Sequence, residues 1–292
     1  MEGFDRIFKE GLNNYDKYGH NLDSFRDHSK PMIYSFCVNN GEKDNDSLNK
    51  AKQINENLYY KFLNNKKKGM TGYKGIENLY RKIDDHDSKH ILLMVILFTY
   101  LYDDMYKNEL KQDTSSKKLN YNFSNINIVE IGGGYGNCIR LINNIIYYKK
   151  YTIIDLPYML ELQKYFLKNE INNIENIEFI NGLNNLYDYS KMNINLVIAT
   201  HSLSELDYSK FIYYMNNVVN KSLYFYYGYN KNCPSKKLID KKLEYILNNN
   251  YIIINSYEYT EKTSAEVKYI LFKNKGYTKL ETEVSITNIS DN

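Results

Sequence analysis

The sequence predicts an α/β fold: a mostly parallel sheet with helices on both faces, preceded by a helical region. Three observations predict it. From Asn125 onward, β-branched and aromatic runs alternate with helical stretches, as parallel strands joined by crossover helices require. The run Ile126, Ile128, Val129 and Ile131 passes directly into Gly132, Gly134 and Gly136, then into a helical stretch opening at Asn137. Such a strand–turn–helix begins nucleotide-binding α/β units. The last two strand-like runs, Tyr251–Tyr257 and Val267–Phe272, lie too close together for a parallel crossover. They read as an antiparallel hairpin.

Residues 1–120 read as a helical N-terminal cap that builds the acceptor region, and 121–292 as the sheet domain. Phe4, Ile7, Phe8 and Leu12 share one face of a first helix. A second helix is expected over Ser47–Leu63, capped by Ser47 or Asp46. Lys66, Lys67 and Lys68 then read as charges complementing a helix end, with a phosphate contact as the lesser reading. Tyr73–Ile83 is a short amphipathic helix. The most apolar helix is expected from about His90 to Leu110, capped by Asp87 or Ser88. Gln112–Asn122 is the polar linker.

In the second region the first strand and Gly-rich turn lead into a helix reaching about Tyr148. Tyr151–Asp155 is the second strand, Tyr158–Asn169 a helix, and Ile177–Asn181 the third strand, ended by Gly182. Asn195–Thr200 is the fourth strand, Tyr208–Val219 a helix, and Ser222–Tyr227 the fifth strand. Gly228-Tyr229-Asn230 follows as a turn or an acceptor contact. Ser235–Leu247 is the last helix before the hairpin.

Composition narrows the function classes. A hydrophobic fraction of 43% is that of a globular protein, and a net charge of +3 announces no polyanion-binding surface. Nucleic acid is therefore disfavoured as a partner. The 32 tyrosines, with many Asn, Lys and Ile, fit AT-rich coding better than a dedicated aromatic surface. Cys37, Cys138 and Cys233 form neither a disulfide framework nor a metal pattern. The run from His90 to Tyr102 is shorter than the about 20 residues of a membrane span. No signal peptide is visible, so a reducing, cytoplasmic setting is expected. The acid pairs Asp84-Asp85 and Asp103-Asp104, and Asp87, read as solvated helix faces rather than a metal site.

The Gly-rich turn fails the dinucleotide fingerprint, because Asn137 stands where its third glycine belongs. Asn137 and the final hairpin disfavour an NAD oxidoreductase. Asp155 closes the second strand 19 residues after Gly136, where a carboxylate can accept both hydrogen bonds of a ribose diol. After the fourth strand come Thr200, His201, Ser202, Leu203, Ser204 and Glu205, where ligands of open α/β sheets sit. His201 is the first candidate general base and Glu205 the second; substrate positioning or a structural hydrogen bond is the alternative role for His201, and helix capping for Glu205.

The observed pattern, Glu130-x-Gly132-x-Gly134-x-Gly136, resembles motif I of the class I S-adenosylmethionine (SAM) methyltransferases. That resemblance implies a Rossmann-like seven-stranded sheet with a C-terminal β-hairpin and SAM as cofactor. It implies that Glu130, Gly132, Gly134 and Gly136 hold the methionine end, that Asp155 holds the ribose, and that Asn181 and Thr200 complete the cofactor site; the alternatives are a helix cap near Pro157 for Asp155 and a plain Asn-Gly turn for Asn181. Val-Glu-Ile-Gly-Gly-Gly-Tyr-Gly, Tyr-Thr-Ile-Ile-Asp-Leu-Pro and Thr-His-Ser-Leu-Ser-Glu-Leu together look like the sugar O-methyltransferase family of bacterial surface-glycan clusters. The acceptor is then a saccharide or glycan hydroxyl. An RNA methyltransferase and a SAM-binding, non-catalytic subunit are the alternatives, and a homodimer is compatible with all three.

Overall fold

The computed structural model describes residues 44–64, 85–106, 122–143, 145–171, 173–183, 187–231, 236–260 and 266–277. The expected Phe4–Leu12 and Tyr73–Ile83 helices, Lys66–Lys68, His20, His28 and most of the Gln112–Asn122 linker lie outside these residues. So does the side chain of His86.

Seven strands form one sheet in the order β3-β2-β1-β4-β5-β7-β6. They are β1 Asn122–Ile131, β2 Tyr147–Asp155, β3 Ile177–Asn181, β4 Ile194–Thr200, β5 Ser222–Asn230, β6 Tyr251–Thr260 and β7 Glu266–Asn274. The first five are parallel, and β7 runs antiparallel to both β5 and β6. This is the Rossmann-like sheet with a C-terminal hairpin that the motifs imply. The order reverses between β1 and β4, which opens a crevice beyond their carboxyl ends.

Alternation along the strands sends successive side chains to opposite faces. Ile128, Tyr151, Ile153, Leu196, Ile198 and Tyr226 enter a core shared with α3 (Asp85–Tyr106), α4 (Asn137–Ile142) and α5 (Pro157–Glu170). Val129, Ile154, Val197, Phe225 and Tyr227 enter a second core with α7 (Tyr208–Asn217) and α8 (Lys236–Asn248). A four-residue helix, α6 (Ser202–Glu205), follows β4.

The helices before the sheet differ from expectation in instructive ways. Ser47–Leu63 is two helices, α1 (Asn45–Ile54) and α2 (Glu56–Leu63). Asn55 breaks them: it is extended at φ −156°, and its side-chain oxygen accepts the Leu58 N–H at 3.0 Å to cap α2. Asp44, rather than Ser47 or Asp46, caps α1 by accepting the Asp46 and Ser47 N–H groups. Asp87 and Ser88 lie inside α3 rather than capping it. Asp104 is not a solvated acid either; it accepts from Lys273 Nζ and the Tyr224 hydroxyl, each at 2.7 Å, and so fastens α3 to the sheet. The strand β5 runs through Gly228 to Asn230, so that segment is strand and not turn. β2 already begins at Tyr147, although the preceding helix was expected to reach about Tyr148; α4 stops at Ile142.

Candidate active site

A cavity of about 380 Å³ opens at the carboxyl ends of β1, β2 and β4. The Gly-rich turn forms its floor. Gly132, at φ +74°, sits so close to the loop after β4 that a Cβ would lie 2.4 Å from Ser202 Cβ. Ser202 Oγ in turn donates to the Ile131 carbonyl. At Gly134, φ +57°, a Cβ would meet no atom within 4 Å. Gly134 lines the cavity, so bare backbone faces open space there.

Glu130 lies beneath the turn. It is 2% exposed and accepts a hydrogen bond from the Tyr151 hydroxyl at 2.8 Å. Loss of hydration pushes its carboxyl up to about 7; hydrogen bonds from Tyr151 and Cys138 pull the other way, and the charge of Asp155 adds to the rise.

Asp155 ends β2 at the cavity wall. Its Oδ1 accepts the Leu156 N–H at 2.8 Å and its Oδ2 accepts Gln163 Nε2 at 2.7 Å. Loss of hydration raises its carboxyl to about 6 against those two donors and the Gly133 N–H. A carboxylate has about four lone-pair sites, so acceptor capacity remains beyond these donors. Asn181 is placed differently: its side chain closes a turn by accepting the Leu183 N–H at 2.9 Å, and Gly182 lines the cavity beside it. A Cβ on Gly182 would press to 2.7 Å from the Tyr214 hydroxyl, which also lines the cavity.

The loop after β4 forms the opposite wall, with Thr200, His201, Ser202 and Glu205. His201 holds φ +72°, an unfavourable conformation for a non-glycine residue. Its Nε2 lies 2.9 Å from the Tyr269 hydroxyl and its Nδ1 is buried. Gly228 makes that contact feasible, since a Cβ there would lie 2.6 Å from the Tyr269 ring. Glu205 is exposed toward the cavity mouth, yet enough protein surrounds it for loss of hydration to raise its carboxyl pKa. The charge of Lys242 offsets part of that rise.

Lys242 holds this wall in place from behind. It is fully buried on α8, and its Nζ donates to the carbonyls of Leu203 at 3.1 Å, Ser204 at 2.9 Å and Leu206 at 2.5 Å. A cation at the carbonyl end of α6 is matched to that helix's dipole and its orphan acceptors.

The third wall comes from α3, through Lys89, His90 and Leu93. Asp87 anchors it by a buried ion pair with Arg140 at 2.5 Å. Asn137, the residue that breaks the dinucleotide fingerprint, is the centre of this joint. Its Oδ1 accepts from Arg140 Nε at 2.7 Å, which orients its amide to donate to Asp87 at 3.1 Å and to His90 Nδ1 at 2.7 Å. His90 Nδ1 is therefore an acceptor, and its proton lies on Nε2.

Glu130, Gly132, Gly134, Asp155, Thr200, His201 and Glu205, all expected from the sequence, line one cavity. Gly136 lies just behind it as the left-handed N-cap of α4. Sequence reasoning missed Gln163, Lys242 and the Asp87–Asn137–Arg140 joint. A signal existed for two of them. Gln163 shares its helical stripe with Met159 and Phe166, and Lys242 with Ile239 and Ile246, positions at which a polar side chain is buried.

The residues fit the group the fold implies. Gly134 leaves the space a Cβ would fill, Asp155 retains acceptors for a ribose diol, and a cavity of this volume can take a small cofactor.

No family model matches the chain, and no curated protein matches it. Solved structures do. TrmK of M. capricolum, in complex with S-adenosyl-homocysteine (SAH), matches at TM-score 0.40 and 18% identity over 56% of this chain and 68% of that one. An rRNA methylase from Streptococcus thermophilus matches at TM-score 0.44 and 14% identity, over 62% and 95% respectively. A precorrin-6y C5,15-methyltransferase from Geobacter metallireducens GS-15 matches at TM-score 0.39 and 12% identity, over 52% and 82%. Likeness at this level concerns architecture, and no residue role follows from it. One expectation is corrected here: nucleic acid is not disfavoured as a partner. An rRNA methylase is among the matched structures, and a whole-chain charge of +3 says nothing about a local surface.

Proposed function

We propose that the cavity binds SAM and that the protein transfers its methyl group to an acceptor entering between the loop after β4 and α3. The observation that carries this reading is the pairing of an open, Cβ-free Gly134 with Asp155, a carboxylate oriented by Leu156, Gln163 and Gly133, in a single cavity. When bound, SAM supplies an activated methyl group, so the protein's task is alignment and proton removal. Asp155 accepts from the ribose, and the turn from Gly132 to Gly136 lets the ligand lie against the backbone. Glu205 faces the cavity with a raised carboxyl pKa, which suits a general base for an acceptor O–H or N–H. His201, tied to Tyr269, serves better as a positioning group than as the base.

The saccharide hydroxyl implied by the sequence motifs and the RNA alternative are both acceptors of this reading. RNA enters because the fold is one that RNA methylases use, and fold by itself names no substrate. Calorimetric titration of the full chain with SAM and SAH is the first test, followed by methyl-transfer assays on RNA and on glycans. Asp155→Ala is expected to weaken binding by about 1–3 kcal/mol by stranding the ribose hydroxyls. A wild-type protein that binds neither compound overturns the proposal.

A further inference from the structure

Behind Asp155, on the buried side of α5, lies a carboxamide that reaches two parts of the site at once. Gln163 is fully buried. Its Nε2 donates to the Gly134 carbonyl at 2.8 Å and to Asp155 Oδ2 at 2.7 Å. Both partners are acceptors, so the amide orientation is decided by the network: nitrogen faces the site. Its Oε1 has no hydrogen-bond partner among the described residues. Burying an amide with an unsatisfied oxygen is unfavourable, and a methionine or leucine would pack on that stripe without the penalty. The geometry ties the amide to the ligand-facing groups rather than to the core.

We propose that Gln163 is the positioning residue of the cofactor site, one carboxamide that sets both the ribose carboxylate and the Gly-rich turn for a nucleoside carrying a free vicinal diol. This rests on the reading of the cavity as a SAM site. Leu156 N–H and Gln163 each take one oxygen of Asp155, which fixes the plane of its carboxylate. The same Nε2 holds the Gly134 carbonyl, so the turn and the carboxylate cannot move independently. A ligand then meets a site already ordered and loses less entropy on binding. The amide also favours the ionised form of Asp155 against loss of hydration. The other titratable groups that act on or near Asp155 are Glu130 from β1, Tyr158 from α5 and Tyr214 from α7.

The test is calorimetric titration of the full chain with SAH across pH 5 to 8.5, for wild type, Gln163→Met, Asp155→Ala and the double variant, with 2′-deoxy-SAH as a second probe. Gln163→Met is expected to raise the SAH Kd by about 10- to 100-fold at pH 8, the range for a hydrogen bond to a charged group. Wild-type affinity should fall as pH drops through about 6, and in Gln163→Met that fall should move to higher pH. The double variant should be weaker than Asp155→Ala only by the share owed to the Gly134 carbonyl, less than Gln163→Met weakens the wild type, and the Gln163→Met penalty should shrink with 2′-deoxy-SAH. A packing defect would weaken both ligands alike and leave the pH midpoint in place; that result overturns the assignment. So does an unchanged Kd. Should Gln163→Met fail to fold, Gln163→Leu decides, since an apolar side chain of similar size cannot donate and must weaken SAH at pH 8. Wild-type protein that binds no SAH removes the SAM reading itself, a result distinct from a binding wild type with an indifferent variant.

Discussion

Replacing Asp87 by Ala is the sharpest test of how the site is held together. Arg140 and Asp87 form an ion pair at 2.5 Å with both side chains 2% exposed. Removing the carboxylate leaves a buried guanidinium whose Nη2 has lost its acceptor, while Nε keeps Asn137 Oδ1 at 2.7 Å. Asn137 Nδ2 loses an acceptor at 3.1 Å in the same step. Breaking a buried pair by deleting one partner costs about 3–5 kcal/mol, mostly as the penalty of the stranded charge. Domains are stable by only about 5–15 kcal/mol, so a large share of the total is at stake. The double variant Asp87→Leu with Arg140→Met removes both charges and should recover most of the loss, because apolar replacements of buried pairs are often neutral or better. Urea unfolding at pH 7.5 with a constant m-value measures Asp87→Ala, the singles Asp87→Leu and Arg140→Met, and the double variant. The expected coupling is at least about 2 kcal/mol. A loss below about 1 kcal/mol in Asp87→Ala, or a double variant as unstable as the sum of its parts, refutes the argument. Lys89 and His90 share this turn of α3 and line the cavity, so SAM affinity should fall with stability in Asp87→Ala and return in the double variant.

Three further outcomes are expected. Burial raises Glu130 to about 7 and Asp155 to about 6, above their ordinary values, so both contribute stability at low pH that is lost as pH rises through those folded values. The ligand-free protein should thus be more stable at pH 5 than at pH 8 by a few kcal/mol, since each tenfold change in proton affinity is worth about 1.4 kcal/mol; Glu130→Gln should flatten that slope in thermal melts, and an unaltered slope counts against it. Lys242→Met should cost about 2–4 kcal/mol by stranding the Leu203, Ser204 and Leu206 carbonyls, with faster amide hydrogen exchange confined to the loop after β4; uniform exchange throughout the chain would contradict a local role. In methyl-transfer assays Glu205→Gln should lower kcat by at least about tenfold, with activity rising with pH through a raised carboxylate; if His201→Ala alone abolishes turnover, the base is His201.

Local sequence carried the framework of this protein. β-branched runs spaced by helical segments dictated the parallel strands, and Glu130 with the alternate glycines marked the turn that floors the cavity. The short spacing before Val267 dictated the hairpin. These features act within a few residues of one another, so propensity and backbone sterics suffice to read them. What the tertiary structure alone decided involves partners far apart in the chain. Asp87 has the composition of a helix cap, yet it pairs with Arg140 because α3 packs against α4. Asn137 looks like a failed fingerprint glycine, yet it joins that pair to His90. Lys242 and Gln163 occur on ordinary amphipathic helices, where a polar residue usually faces water. Burial turns them inward, because the carbonyls after β4 and the carboxylate of Asp155 need donors that only those helix faces can supply. Hydrophobic period determines which face of a helix is buried; only the packed fold determines which unsatisfied polar atom waits opposite it.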